Sequence, residues 1–321
     1  MCRVGLTAAI LCLAGLAPTS EPLQTTFSYD AFSARMPVVR QQAYVVNAKV
    51  RPLLLFWIGR DNIGDARLTW REASGNHRAF EFLIGSDPER APRRINRWGF
   101  IVEELNPRKA EVLGLMKESN EQSIDDAEAQ IARQADVSVF KVLRTTIIGS
   151  HAVTEVMTVP APAHLTYREL DSFLALIPVE PRSIRTLELP SGTQIGFLVA
   201  MDSLIHASVG PCQSRRGDGA LGVSAIPFVY GQTLYDLSLL SCTYAPSLRT
   251  KTGIFAHVVE GRFQVRNRTT KYETKFGVSY GASGAWLGLP VRAVFRPRWW
   301  IEIALLLDPS AGSATTSLDE E

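Results

Sequence analysis

From Ala43 onward, apolar and polar positions alternate with a period of two, the spacing of a half-buried β-strand. Tyr44 to Ile58 reads as a first strand: Lys49 and Arg51 alternate with apolar positions before a solid apolar run, and Gly59 ends it. Ala66 to Arg71 is a second strand, with Arg67 and Thr69 alternating with Leu68 and Trp70. Ser74-Gly75-Asn76 predicts a turn, Ala79 to Ile84 a third strand, Gly85-Ser86-Asp87-Pro88 another turn, and Trp98 to Glu103 a fourth strand. Short strands separated by turn residues predict an antiparallel meander.

The pattern then changes. Lys109 to Met116 reads as one or two helical turns. Ser123 opens a further helix, with Asp125 and Asp126 in the first turn, where carboxylates favour the helix dipole. Phe140 to Ile148 and Val153 to Val159 read as strands around Gly149-Ser150. The strongest local signal follows Pro160 and Pro162. Thr166 is an N-cap, Glu169 completes a capping box, and Leu165 and Leu170 take the staple positions. Leu170, Phe173, Leu174 and Ile177 form one apolar face, and Pro178 ends this helix.

Ile184 to Leu189 and Gln194 to Ala200 read as strands, while Met201 to Ser208 fits neither period. From Gly219 the chain is β-rich: Gly222 to Tyr230, Leu234 to Tyr244, Gly253 to Arg266, Tyr272 to Tyr280, Pro290 to Arg296 and Trp299 to Leu307. The expected fold class is α+β, mainly antiparallel β-sheet with a few packed helices. Pro160 and Pro162 mark a division, either between two domains or between two parts that share one core. An N-terminal β-rich part with a helical insert covers residues 27–160. A C-terminal α+β part covers residues 161–309, and residues 310–321 form a disordered acidic tail.

The first twenty residues change the picture. Met1-Cys2-Arg3 is a minimal positive segment, Val4 to Ala17 is apolar and uncharged, and small or polar residues follow to Ser20. This is the layout of a removable signal peptide, residues 1–20, and the apolar core is shorter than the ~20 residues a span requires. No later run is a transmembrane candidate. The expected location is periplasmic or extracellular. Removing the leader takes Cys2 and Cys12 with it and leaves Cys212 and Cys242, an even pair in an oxidising compartment, which predicts one disulfide.

The net charge of +2 falls to +1 without Arg3. That balance argues against a nucleic-acid binder, as does the compartment. The five histidines are scattered, so no metal site and no cofactor are expected. Gly217-Asp218-Gly219-Ala220-Leu221-Gly222 has dinucleotide-loop spacing, but β-like sequence follows it where a helix is needed. A loop inside the disulfide ring accounts for it better. No phosphate loop, zinc helix or Gly-x-Ser-x-Gly elbow is present.

Three polar clusters remain. Arg60-Asp61-Asn62 with Asp65 and Arg67 reads as a loop at a strand end, where paired carboxylates flanked by arginines suit acid–base work or ligand holding. Arg90, Arg93, Arg94 and Arg97 beside Trp98 form an anion-site pattern, for an anionic glycan or a lipid headgroup. Asp202 and His206 are the nearest thing to part of a hydrolytic triad. Each has a plainer reading as a surface turn, a solvated basic loop or a polar segment edge. Nothing here rises to a specific reaction. The function expected is a non-catalytic, exported ligand-binding or envelope-associated module. The alternative is an exported hydrolase acting on a glycan, ester or peptide. A third reading docks the Arg–Trp stretches, including Arg296, Arg298, Trp299 and Trp300, on an anionic membrane surface.

Overall fold

The computed structural model describes residues 36–51, 58–74, 76–117, 137–162, 164–170, 183–214, 224–298 and 301–311. Strand accounts for 64% of them. Fourteen strands make one antiparallel sheet: β1 (Val38–Val50), β2 (Ile58–Ala73), β3 (His77–Ser86), β4 (Trp98–Leu105), β5 (Ala110–Lys117), β6 (Val137–Ile148), β7 (His151–Pro162), β8 (Ser183–Glu188), β9 (Ile226–Tyr230), β10 (Thr233–Arg249), β11 (Ile254–Asn267), β12 (Glu273–Gly281), β13 (Pro290–Arg298) and β14 (Ile301–Leu307). Their order is β8-β7-β6-β5-β4-β3-β2-β1-β14-β13-β12-β11-β10-β9. Neighbours in the sheet are therefore neighbours in sequence, except where β1 meets β14, with Tyr44 opposite Leu307 and Val50 opposite Ile301.

One α-helix, α1 (Phe197–Ser214), is present among the described residues. The expected α+β class with several helices is thus corrected to a β-rich fold with one helix. Two segments account for most of the difference. Lys109 to Met116, expected as helical turns, falls almost wholly in strand β5. Its residues Glu111 to Leu115 are all buried, so both faces are covered and no alternation survives in the sequence. Gln194 to Ala200, expected as a strand, contains the start of α1. Its buried residues Ala200, Met201, Leu204, Ile205, Ser208 and Cys212 share one face, but Phe197 to Met201 are apolar without a break and Ala207, Gly210 and Pro211 stand on the exposed side, so no stripe stands out in the sequence. The helix expected from Ser123, the dinucleotide-like loop, the leader and most of the acidic tail lie outside the described residues.

Elsewhere the meander is as expected, with longer strands. Gly59 does not end a strand: β2 begins at Ile58 and runs through it. Three β2 residues, Asp61 to Ile63, lie opposite Asn47 alone, a bulge between the Val46–Gly64 and Ala48–Arg60 pairs. Asn62 takes φ of 53° there, and its backbone N donates to Asn47 Oδ1 at 2.7 Å. The capping box is formed as well: Thr166 N donates to Glu169 Oε2 at 3.0 Å, at the head of a short 3-10 turn, Tyr167–Glu169. The helix expected beyond Leu170 lies outside the described residues. Pro160 and Pro162 sit at the end of β7, paired with Val139 and Val137, so the sheet continues through them.

The two sheet faces bury different partners. One face of β4 to β7 carries Phe100, Val102, Leu113, Leu115, Val142 and Met157, and Leu165, Tyr167 and Leu170 pack on it. On the other face the sheet curls until its far end reaches β5 to β7. Thr154 Oγ1 donates to Gly231 O at 2.7 Å, and Ile147 and Ala152 pack with Val229. Helix α1 lies on this inner side, its Leu204 and Ile205 fully buried with Leu237, Phe263 and Tyr280. Cys212 near its end is bonded to Cys242 of β10, the disulfide expected from the cysteine count.

Candidate functional site

The bulge in β2 aims the first polar cluster at a neighbour the sequence does not reveal. Asp65 lies just past the bulge. Asp87 follows β3, its backbone N donating to Ile63 O at 2.8 Å, which holds it beside the bulge. Arg90, three residues further, bridges the two acids: Nη2 donates to Asp65 Oδ2 at 2.6 Å and Nε to Asp87 Oδ2 at 2.8 Å. Its Nη1 donates to Asn62 Oδ1. From the capped 3-10 turn, Tyr167 Oη donates to Asp65 Oδ2, and Arg168 Nη2 donates to Asp87 Oδ2 at 3.0 Å and Asp65 Oδ2 at 3.3 Å. The Arg168 guanidinium also lies 5.5 Å from the centre of the Tyr167 ring.

The charges are matched, two acids to two arginines. Burial alone acts to raise the Asp65 and Asp87 carboxyls. Hydrogen bonds from Arg90, with Tyr167 at Asp65 and the Glu89 backbone at Asp87, outweigh it and hold both below the ordinary carboxylate range. The Tyr167 hydroxyl moves the other way, pushed up to about 12 by burial and the Asp65 charge. Both acids are ionised at neutral pH, and neither has a proton to give. Chemically this is a clasp: it ties the start of the 3-10 turn to β2 and to the segment after β3.

The other residues singled out in the sequence fall in several places. Asp61 is not paired with Asp65. It turns outward to Lys251, 2.6 Å away, and both side chains are more than half exposed. Arg60 is exposed at the start of β2, and Arg67 is half-buried in the same strand. Arg94 is exposed, with φ of 55°, at the end of a 3-10 turn, Pro92–Arg94. The Arg93 side chain lies outside the described residues. Arg97 is half-buried, and Trp98 is a core residue whose Nε1 donates to Leu165 O at 3.3 Å. Asp202 and His206 are neighbours on α1, their side chains 3.5 Å apart, and the His206 ring rests against Gly288.

Two features escaped the sequence reading. The first is Glu103, wholly buried on the inner face of β4. Its oxygens accept from Leu198 N and Val199 N, both at 2.8 Å, at the start of α1. Gly196 leaves room for it, since a Cβ there would stand 2.2 Å from the carboxyl carbon. Burial pushes this carboxyl up to about 7 in spite of the backbone donors. The available signal was a second acid in Glu103-Glu104, placed where strand alternation calls for an inward residue. The second feature is a groove of about 310 Å³ over β6 and β7, lined by Arg144, Thr146, Ile148, His151, Val153 and Glu155. Its residues come from alternate positions of a hairpin, so they never cluster in sequence.

Among the described residues, no group of three or more His, Cys, Asp or Glu side chains is placed to hold a metal ion. No helix among them is long and apolar enough to cross a membrane.

No family model matches the chain, and no curated protein matches it. Among solved structures, a "putative lipoprotein" from Parabacteroides distasonis overlaps 86% of this chain and 96% of its own, at 9% identity and a TM-score of 0.23. A likeness at that level carries no argument about fold or role.

Proposed function

We propose that the protein is an exported, non-catalytic binding module associated with the cell envelope, with exposed arginines meeting an anionic glycan or lipid headgroup. The observation that carries this reading is the divergence of Asp61 and Asp65. One is paired to Lys251 and the other is held ionised between Arg90 and Arg168. Asp65, held ionised, has no proton to give as a general acid, and Asp61 turns away from it to Lys251, so the two are not set as an acid and a base on one site. A disulfide between two buried cysteines supports export, since such bonds persist in oxidising compartments. Among the described side chains, Arg60 and Arg94 are exposed cations close in sequence to the clasp, and neither belongs to it.

The test is retention of the mature protein on phosphatidylglycerol vesicles and on a sulfated-glycan resin. The expected result is binding at low salt, loss at high salt, and weaker binding by an Arg60→Ser, Arg94→Asn variant of unchanged Tm. Asn suits the positive φ at residue 94. No retention of the wild type at low salt would remove the anionic ligand.

The hydrolase reading keeps one supporting observation, the Asp202–His206 pair on α1. Turnover of an ester, glycan or peptide substrate that disappears in His206→Ala would replace the binding reading with this one.

A further inference from the structure

Helix α1 is held in different ways by the two halves of the sheet. To β9, β10 and β11 it is attached by apolar packing and by the Cys212–Cys242 bond. Ser208 Oγ stands 2.6 Å from Tyr280 Oη, and Gln213 Nε2 donates to Ala282 O at 2.9 Å. To the N-terminal strands it is attached by an acid of β4. Glu103 of β4 receives the first amides of the helix. One turn further, Asp202 faces the charges of Arg40 on β1 and Arg78 on β3.

We propose that the contact between Glu103 and the start of α1 is a proton-controlled latch, which holds the first turn of the helix against β4 while the rest of α1 stays fixed to the C-terminal strands. The geometry suits a latch. The carboxylate is fully buried, it takes the place of an N-cap side chain, and Gly196 admits it without a gap. Among the described residues, no cation acts on it; burial and backbone amides set its charge. Phe80 of β3 and Val112 of β5 flank it across the sheet. Tyr230 of β9 is the titratable neighbour that feels its charge, and its hydroxyl is itself pushed up to about 12, mainly by burial. Arg78 lies over the Phe80 ring, 5.7 Å from its centre, and with Arg40 and His206 it acts on Asp202.

The direction follows from linkage. Latched, the Glu103 carboxyl is raised by burial to about 7; released into water, it returns to the ordinary 4.5. A group raised in the closed state favours closure when protonated. Closure is therefore strongest below the ordinary carboxylate range. It weakens as pH rises through about 7 and levels off above that. The displacement corresponds to a change in the opening constant on the order of a hundredfold.

Hydrogen exchange at the Leu198 and Val199 amides, corrected for intrinsic rates, reads this directly. The wild type is expected to open about a hundredfold more at pH 8 than at pH 5. Glu103→Gln, neutral at both values, is expected to show little change. Equal opening of the wild type at both pH values, or the same rise in the Gln variant, would overturn the proposal. If amides near Cys212 open together with those at 198 and 199, the whole helix melts instead of unlatching at its first turn, and the proposal is lost. Should the Gln variant not fold, a ¹³C titration of the Glu103 carboxyl in the wild type decides. A midpoint near 7 sustains the latch, and one in the ordinary carboxylate range ends it.

Discussion

The ring of Tyr167 lies directly over Gly85, so close that a Cβ on Gly85 would stand 2.2 Å from ring carbon Cδ1. Gly85 has no positive φ to protect, so its smallness is needed for the ring alone. Gly85→Ala should therefore destabilise the protein by about 1–3 kcal/mol, the usual cost of overpacking. Urea unfolding measures it. A change under about 0.5 kcal/mol would mean that the ring tilts away freely.

The clasp below that ring sets a pH dependence. Asp65 and Asp87 titrate below their ordinary range in the folded protein, so the unfolded chain binds protons first as pH falls. Their contribution is complete above the ordinary carboxylate range and is lost as pH falls through the folded values. Arg90→Met should lower the Tm at pH 7, and its gap to the wild type should narrow below about pH 4. A gap that stays constant down to acid pH would show that the clasp acts by packing and not by charge.

On the inner face, Gly114 of β5 faces Tyr230 of β9, with the phenol oxygen 2.3 Å from where a Cβ would be. Gly114→Ala should cost about 1–3 kcal/mol. Tyr230→Phe removes the atom in the way, so the double variant should recover part of that loss. Additive effects in the double-mutant cycle would contradict the contact.

Reduction should cost stability at the end of α1. The Cys212–Cys242 bond joins residues 30 apart, which corresponds to about 3–4 kcal/mol in the chain-entropy account. Replacing both cysteines with serine should lower the unfolding free energy by that order. An unchanged midpoint would place α1's attachment in its apolar packing alone.

The strands were legible where only one face is buried. From Leu234 to Tyr244 and from Gly253 to Arg266 the sequence alternates, and β10 and β11 lie there. Strand β5 was not legible, because covering on both faces erases alternation, and six of its eight residues are Ala, Glu, Leu, Met or Lys, good helix formers that outweigh Val112 and Gly114. The polar clusters were legible as residues but not as partners. Asp65 meets Arg168 across 103 positions, and no local pattern predicts a contact that a β-bulge and a capped turn create together. Glu103 was hidden for a related reason. A buried acid is costly unless a helix start meets it, and that helix lies nearly a hundred residues away.

The pairing of β1 with β14 has its own consequence. Tyr44 and Leu307 are 263 positions apart (307 − 44), yet their strands are neighbours at the centre of the sheet. Every other seam joins strands consecutive in the chain. This one closes the largest loop in the molecule and makes folding slow by topology. Until β14 arrives, β1 presents an open edge, the kind of surface on which chains aggregate. Linking residue 311 to residue 36 and reopening the chain at an outer hairpin would turn the most distant pairing into the most local. Such a permuted chain should reach the same sheet faster and with less loss to aggregation.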